Sequence, residues 1–381
     1  MANSQSGPPG SPARRQQGAG IVIARPFGIP VYVSPYWFVI AGIFIIIYAR
    51  DLSGTLTGDV RYVVAAAFVV LLYASVLVHE LGHGLVARAF GLPVRRIVLY
   101  PLVGGTEMDS EPSTPGQSFL VSATGPCLNL VLGVASWQLS ELVAGGTIPS
   151  IVLRQVMFAN YFVGAFNFLP GLPLDGGQML RAVIWKLTKR PASATIAAAW
   201  VGRILAIALL VAIPLRMGGA YGGNLVSIAW VAAISAFIWI GASQAIRATR
   251  FRARLPELQA RRLARKAISV PASTPLAEAV RQADEARARA VVVVDNDSKP
   301  IAILSEAAVT ATPPQRRPWI EAGSLARTIE PELVLPADLS GMALLDAVRK
   351  APASEYLLVE PSGQVYGVLA ARDLEGVFAG V

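Results

Sequence analysis

The 381-residue chain is poor in the residues that most often bind metals or form cross-links, since it contains two histidines and one cysteine, Cys127. A single cysteine excludes an intrachain disulfide. Charged residues are also scarce, at 15%, against 54% hydrophobic residues and a mean hydropathy of +0.53. This composition is typical of a membrane protein rather than a soluble one.

The few charges are unevenly placed, and the formal net charge is +9. Between Arg247 and Lys266, directly after the last apolar run, eight basic residues stand against one acid, Glu257. Such a cluster is typical of a cytoplasmic flank and of contact with the anionic lipids of a bilayer. No groove-reading motif accompanies it, so we predict no binding of nucleic acid.

Both histidines belong to one H-E-x-x-H motif, formed by His79, Glu80 and His83. On a helix, positions i and i+4 share a face, so the two imidazoles can bind one Zn²⁺ while Glu80 takes a proton from an activated water. The preceding run Tyr62–Leu77 carries no charge. The motif therefore lies in a predicted membrane span, where ionisable groups are costly and usually functional.

A zinc site of this kind needs a third protein ligand and an open fourth position. With no histidine left, that ligand must be a carboxylate or Cys127. The best candidate is Asp175, because the prolines and glycines of the surrounding segment Asn167–Gly177 unwind the span and free the carboxylate. Neither residue has to be a ligand. The Asp175 carboxylate could instead accept hydrogen bonds from local backbone amides, and Cys127 could pack as a small hydrophobic residue.

The apolar pattern predicts a polytopic α-helical membrane protein with six transmembrane helices and a re-entrant or β-hairpin loop at 97–116. The fourth span is broken at Pro170–Pro173. A disordered tail (1–28) precedes this six-helix domain (29–250), and a basic linker (251–267) follows it. The predicted spans are residues 31–48, 62–90, 119–142, 152–185, 196–215 and 225–246.

Basic residues alternate between the ends of these spans and predict the orientation. They are frequent before the first span and after the second, fourth and sixth spans, and sparse at the opposite ends. By the positive-inside rule, both termini of this integral membrane protein lie in the cytoplasm and the metal lies toward that side. We expect the cell membrane as its location.

From residue 268 to 381 the composition becomes that of a soluble α/β domain. Two units share the order of entry strand, amphipathic helix, β-branched strand, turn and strand, at Ile268–Val309 and Ser324–Val377. Two such copies bury each other's sheets and form one domain.

Four motifs in order make the region Ile29–Arg250 similar to the site-2 protease family of intramembrane zinc metalloproteases. They are HELGH on an apolar helix, a Gly-Gly hairpin, GPCLN and NFLPGLPLDGG. The resemblance implies that His79, His83 and Asp175 bind zinc and that Glu80 activates water. The glycines of the hairpin are Gly104 and Gly105. The resemblance further implies that Asn167 positions substrate or stabilises the oxyanion. It implies for Asn129 a role as either an active-site residue or a structural one in the third helix.

The C-terminal repeat resembles a pair of CBS modules, which in some site-2 proteases follow the membrane domain and in other proteins bind adenine nucleotides. The resemblance implies that Asp373 meets a ribose and Arg372 a phosphate. Each half departs from the usual signature, with Ala370 in place of a hydroxyl residue and Ala308 in place of an aspartate. Weak nucleotide binding and a pure interaction role, such as homodimerisation through the CBS pair, both remain open.

The function expected from these features is that of an intramembrane zinc endopeptidase. Its substrate would be a membrane-embedded protein, cut in regulated intramembrane proteolysis, with the CBS pair as a regulatory or interaction domain. The alternatives are a CBS-regulated membrane transporter and a catalytically silent scaffold. A transporter has no need of the H-E-x-x-H motif with a distant aspartate, and all four residues of the site are intact.

Overall fold

A computed structural model describes residues 20–100, 104–217, 225–304 and 306–378. The chain divides into two compact units, Met1–Ile246 and Arg247–Val381. We describe each unit separately, beginning with the helical one.

The first unit contains seven helices within its described residues. Five segments are long and apolar enough to cross a membrane: Tyr36–Gly54, Val60–Ala89, Pro115–Glu141, Pro191–Ile213 and Ile228–Glu257. The helices are α1 (Tyr36–Asp51), α2 (Val60–Ala89), α3 (Pro115–Glu141), α4 (Ile148–Asn167), α5 (Asp175–Thr188), α6 (Pro191–Met217) and α7 (Leu225–Arg254), the last of which continues past the unit boundary.

The predicted fourth span is two helices, because α4 ends at Asn167 and α5 begins at Asp175. The break predicted at the prolines is therefore present. Helix α4 is not among the five apolar segments, since Arg154, Gln155 and Asn160 lower its hydropathy. A membrane domain is confirmed, and the sixth crossing stays a prediction.

A four-stranded sheet accompanies the helices, with strands in the order β1 (Ile21–Ala24), β2 (Val31–Val33), β3 (Val94–Leu99) and β4 (Gly104–Met108). Strands β3 and β4 form an antiparallel hairpin. A β-hairpin was one of the two structures predicted for the loop at 97–116, the other being a re-entrant loop. Strand β2 pairs with β3 in parallel, and β1 pairs with β2 antiparallel. The sheet therefore has β4 as one of its edges.

Strands β1 and β2 correct the sequence prediction, which placed residues up to 28 in a disordered tail and began the first span at 31. Ile29 and Val31 are fully buried and pack with Ile97 and Leu99 in one apolar cluster. The apolar run here is thus the core of a sheet, and the first helix begins at Tyr36. Residues 1–19 of the predicted tail lie outside the described residues.

The second unit contains two sheets built from similar halves. In the first half, β5 is parallel to β6 and β6 is antiparallel to β7; in the second, β9 and β10 are parallel and β10 and β11 antiparallel. This repetition confirms the predicted α/β pair. Its elements in order are α8 (Ala260–Leu263), β5 (Ala267–Pro271), α9 (Leu276–Glu285), β6 (Ala290–Val294), β7 (Pro300–Leu304), α10 (Glu306–Ala311), α11 (Ala322–Leu325), β8 (Ala326–Thr328), β9 (Val334–Pro336), α12 (Gly341–Lys350), β10 (Glu355–Val359), β11 (Val365–Ala370) and α13 (Ala371–Phe378).

The segment predicted as a basic linker is part of this second unit's core. Leu258 and Ala260 are fully buried in a cluster with Leu344 and Tyr356. The amide of Ala260 donates to the carbonyl of Leu339 at 2.9 Å, which ties the segment to the second half of the pair. The prediction of a linker differs from the structure for a simple reason. The arginines of this segment suggested a solvated linker, but they alternate with apolar residues that enter the core.

We predict that a fragment beginning at Ile268 is less stable than one beginning at Arg247. Losing the buried side chain of Leu258 alone should lower the free energy of unfolding by about 2–5 kcal/mol, the cost of a cavity of that size. Urea unfolding of both fragments, followed by circular dichroism, measures the difference. Equal midpoints would show that residues 247–267 contribute nothing to this core.

Candidate metal centre

Three side chains that the sequence analysis selected as zinc ligands lie together. The two imidazole Nε2 atoms of His79 and His83 are 3.1 Å apart. The carboxylate of Asp175 lies 3.1 Å from the first of them, through Oδ2, and 3.4 Å from the second, through Oδ1. Among the described residues, this is the group of histidine, cysteine and acidic side chains whose ligand atoms are close enough to share one metal ion.

The far side of each imidazole is hydrogen-bonded. His83 Nδ1 donates to the backbone carbonyl of Val121 at 2.6 Å, and His79 Nδ1 donates to the side-chain oxygen of Asn129 at 2.5 Å. With the proton on Nδ1, each Nε2 carries a lone pair. Both lone pairs therefore point toward each other and toward a carboxylate.

This arrangement fits a zinc ion. A Zn–N distance of about 2.0–2.1 Å in a tetrahedral site places ligand atoms roughly 3.3 Å apart, close to the three separations observed. Two lone pairs and a carboxylate that converge in a buried site repel one another unless a proton or a metal ion lies among them, and their spacing suits a metal ion. The residues present thus match the donor set and spacing of a catalytic zinc site.

Gly125 on α3 provides the space beside these atoms. A Cβ atom at this position would lie 2.5 Å from Nε2 of His83 and 2.6 Å from Nε2 of His79. Such distances are shorter than any van der Waals contact. The glycine of the GPCLN motif is therefore needed to keep the ligand atoms accessible.

Asp175 stands at the start of α5, and the loop before it is wedged against α6 and α7. The amide of Leu172 donates to the carbonyl of Ala198 on α6 at 3.2 Å. A Cβ at Gly202 would lie 2.1 Å from the carbonyl oxygen of Leu172, and one at Gly241 would lie 2.5 Å from Pro173 Cγ. Contact of the loop backbone with α6 and of the Pro173 ring with α7 fixes the loop and, through it, the carboxylate.

Glu80 lies beside the ligands and is held by the β-hairpin. Thr106 on β4 donates from Oγ1 to Glu80 Oε2 at 2.7 Å. A Cβ at Gly104 would lie 2.5 Å from Glu80 Cγ and Oε1, whereas one at Gly105 has Tyr100 Cε2 at 4.0 Å as its nearest neighbour. The first glycine of the Gly-Gly pair therefore lets the strand pack directly on this carboxylate.

A mainly apolar cavity of about 370 Å³ opens onto these groups. Asn167, the last residue of α4, lines it together with Glu80 and Asp175. The predicted base, the predicted oxyanion group and the zinc ligands His79 and Asp175 therefore line one space. Its apolar walls are Val76, Phe162, Val163, Phe166, Pro173, Leu174, Trp230, Ala233, Ile234 and Phe237.

Asn129, which the sequence analysis gave as either an active-site residue or a structural one in the third helix, lies behind His79. It is 1% exposed, does not line the cavity and contacts His79 from behind. An amide in that position cannot touch a substrate in the cavity, so it orients an imidazole instead. The sequence analysis missed Thr106 and Asn160, since a threonine on a strand and an asparagine in a helix form no motif.

In the second unit, a cavity of about 390 Å³ is lined by three arginines, among other residues. Arg372, which was predicted to meet a phosphate, is one of them, together with Arg265 and Arg289. Asp373 does not line this cavity; both of its carboxylate oxygens accept from Arg265, at 2.7 and 2.8 Å. Those hydrogen bonds hold the pKa of Asp373 below its usual value and occupy the oxygens predicted to bind a ribose.

We predict that Gly125→Ala lowers the affinity for zinc at least tenfold, because the added methyl group occupies the space beside both Nε2 atoms. Gly116→Ala on the same helix is the matched control, since a Cβ there has no neighbour within 4 Å. Zinc binding measured by chelator competition distinguishes the two variants. Unchanged affinity in Gly125→Ala would place the metal elsewhere.

Comparisons with known proteins found similarity to zinc metalloproteases. The model of peptidase family M50 matches residues 67–155 and 140–211, and the CBS-domain model matches residues 260–311. The chain is 28% identical to the candidate zinc metalloprotease sll0528 of Synechocystis over 358 residues, 90% of this chain and 91% of the relative.

Two further proteins are similar over more than half of the chain. The candidate zinc metalloprotease Rip3 of Mycobacterium tuberculosis is 35% identical over 230 residues, which are 59% of this chain and 58% of Rip3. The solved site-2 protease of Methanocaldococcus jannaschii is 27% identical and covers 59% of this chain and 94% of its own, with a TM-score of 0.43. The chain is an integral membrane protein; its helical unit matches the model of peptidase family M50 and is similar to the zinc metalloproteases above, and its second unit matches the model of the CBS domain.

Proposed function

We propose that this protein is a zinc-dependent endopeptidase that hydrolyses peptide bonds within or near membrane-spanning segments of other membrane proteins. The observation that carries the proposal is the cavity in the helical unit, which is lined by Glu80 and by two of the three zinc-ligand residues, His79 and Asp175. Its apolar and aromatic walls suit the side chains of a membrane-spanning substrate. Cleavage of this kind would serve regulated intramembrane proteolysis.

The chemistry assigned to the site follows from the positions of its side chains. Zinc, when bound, supplies Lewis-acid chemistry. Glu80 takes a proton from the attacking water and delivers it to the leaving nitrogen of the peptide bond. Thr106 keeps the Glu80 carboxylate in place, and the amide of Asn167, which lines the same cavity, is available to donate to the developing oxyanion.

Strand β4 offers a binding edge for the substrate backbone. It is an edge of the sheet, and Gly104 at its start lies directly against Glu80. A helical substrate hides its peptide bonds and must unwind before attack, and an unwound segment can pair with a strand edge through backbone hydrogen bonds. We therefore assign substrate alignment to β4.

The topology proposed here places both termini in the cytoplasm of a cell-membrane protein. Its support is the distribution of basic residues along the chain, with α4 and α5 together forming the sixth crossing. An even number of crossings keeps the second unit on the same side as residue 20. That side contains the nucleotides that a CBS pair would sense.

We predict that Glu80→Gln abolishes cleavage of a single-span membrane substrate in detergent while the protein still binds one zinc ion. The base contributes about 10²–10⁴-fold to the rate, and it is not a ligand in this geometry. Cleavage is measured on gels and zinc by elemental analysis. Cleavage that survives Glu80→Gln would refute the assignment; no zinc-dependent cleavage in the unaltered protein would favour a transporter or a silent scaffold.

The two adjacent hairpin glycines supply a matched pair for the same assay. A methyl group at Gly104 collides with the Glu80 side chain, so Gly104→Ala should slow cleavage strongly and leave zinc in place. Gly105→Ala adds its methyl group where there is room and should cleave like the unaltered protein. Equal rates in the two variants would show that β4 does not constrain the base.

For the second unit, we propose weak binding of an adenine nucleotide, with phosphates near Arg372 and Arg289. The three cavity arginines favour an anionic ligand, since guanidinium groups bind phosphate well. Asp373 supports this site indirectly, by holding Arg265 at its edge. A role in regulation or in homodimerisation rests on the CBS resemblance alone.

We predict that Arg372→Ala weakens ATP binding to the full-length protein about tenfold, since one charge-assisted contact is lost. Arg349→Ala, on the exposed face of α12, is the control and should leave binding unchanged. Isothermal titration calorimetry compares the variants. No heat at millimolar ATP would leave a domain that serves contacts between proteins.

A further inference from the structure

Behind His79, a chain of buried side-chain hydrogen bonds runs away from the cavity. Asn129 Nδ2 donates to Asn160 Oδ1 at 2.8 Å, and Asn160 Nδ2 donates to Ser75 Oγ at 3.0 Å. Asn129, Asn160 and Ser75 are 1%, 0% and 6% exposed. Three polar side chains on three helices are thus linked in a region that water does not reach.

Backbone carbonyls fix which groups donate and which accept in this series of hydrogen bonds, starting from its Ser75 end. Ser75 Oγ donates to the carbonyl of Leu71 at 3.0 Å, and Asn160 Nδ2 also donates to the carbonyl of Val156 at 2.9 Å. A carbonyl can only accept a hydrogen bond. Ser75 must therefore accept from Asn160, and the amide NH₂ of Asn160 must face Ser75 and Val156.

The assignment of donors and acceptors at Ser75 and Asn160 determines those of Asn129 and His79 in turn. Because the NH₂ of Asn160 is committed, its Oδ1 faces Asn129 and accepts from Asn129 Nδ2. The oxygen of Asn129 is then left to face His79 Nδ1, which must carry the ring proton. The lone pair of His79 therefore lies on Nε2, toward Asp175 and His83.

His83 shows why such a chain is needed for its neighbour. Its Nδ1 donates to a backbone carbonyl, that of Val121, and a carbonyl has one possible polarity. The partner of His79 is an amide side chain, which could turn by 180° and present NH₂ to the ring. That turn would place the lone pair of His79 on Nδ1 and a hydrogen on Nε2, where zinc must bind.

We propose that Asn160, assisted by Ser75, is a positioning residue for the metal site: it locks the amide of Asn129 so that His79 presents Nε2 to zinc. The inference rests on the zinc site proposed above. It assigns to α4 a function beyond lining the cavity, because α4 also carries Asn160.

The test measures zinc affinity of the full-length protein in detergent by chelator competition. Asn160→Leu should bind zinc about tenfold more weakly or worse, the usual effect of losing a partner behind a metal ligand. Ser75→Ala should have a smaller effect, since Asn160 keeps its bond to Val156. The spectrum of the cobalt-loaded protein should change in Asn160→Leu, because the ring of His79 is no longer held.

A second substitution separates orientation from simple packing damage. In Asn129→Asp/Asn160→Leu, the carboxylate has two equivalent acceptor oxygens and needs no partner to select the right one. Zinc affinity should therefore recover relative to Asn160→Leu alone. A packing defect caused by leucine would persist in the double variant, and failure to recover would overturn the inference.

Ser140→Ala is the matched control, because Ser140 is a buried hydroxyl on α3 whose bond among the described residues stays within its own helix, to the carbonyl of Trp137. It should bind zinc like the unaltered protein. Equal affinity in Asn160→Leu and the unaltered protein would overturn this inference while leaving the zinc site intact. No zinc binding by the unaltered protein would overturn both, so the two failures are distinguishable.

Discussion

Mutual repulsion among three electron-rich groups is the constraint around which the helical unit is built. The Nε2 lone pairs of His79 and His83 and the Asp175 carboxylate lie within 3.4 Å of one another in a buried site. Unless a proton or a metal ion lies among them, these groups repel one another, and inside a membrane protein such a cluster is especially costly. The fold therefore has to hold the cluster together from outside while leaving room for the ion within it.

Different parts of the structure hold the ligand cluster together and leave space for the ion. Hydrogen bonds from behind, to Val121 and Asn129, turn both rings toward the ion. Glycines leave the space. Gly125 has no Cβ atom that would fill the position of the ion, and Gly104 lets a strand approach Glu80 closely. The motifs of the membrane unit thus encode close approaches of backbone as well as ligands.

The sequence predicted those parts of the site that depend on local geometry or on an improbable residue. His79 and His83 follow from their spacing on a helix, and Asp175 from a lone carboxylate in an apolar, proline-broken stretch. Asn160 could not be found in this way, because its meaning lies in contacts with Asn129 and Ser75, which come from other helices.

The same distinction explains the errors in the fold. Apolar residues near Val31 fit a membrane span as well as a buried strand, and only pairing with β3 decides between them. Arginines after α7 suggested a solvated linker, whereas the leucines between them fill a core that belongs to the second half of the repeat. Residue patterns within a segment were sufficient to predict the helices. They could not predict contacts between segments that are distant in the sequence.

The claim on which the account depends is that zinc is held by His79, His83 and Asp175. X-ray absorption at the zinc edge of the zinc-loaded, full-length protein measures the ligands directly. The account predicts two imidazole nitrogens at about 2.0–2.1 Å with the remaining scatterers oxygen. A sulfur scatterer at about 2.3 Å, which only Cys127 or a methionine could supply, or a shell without two imidazoles, would contradict it.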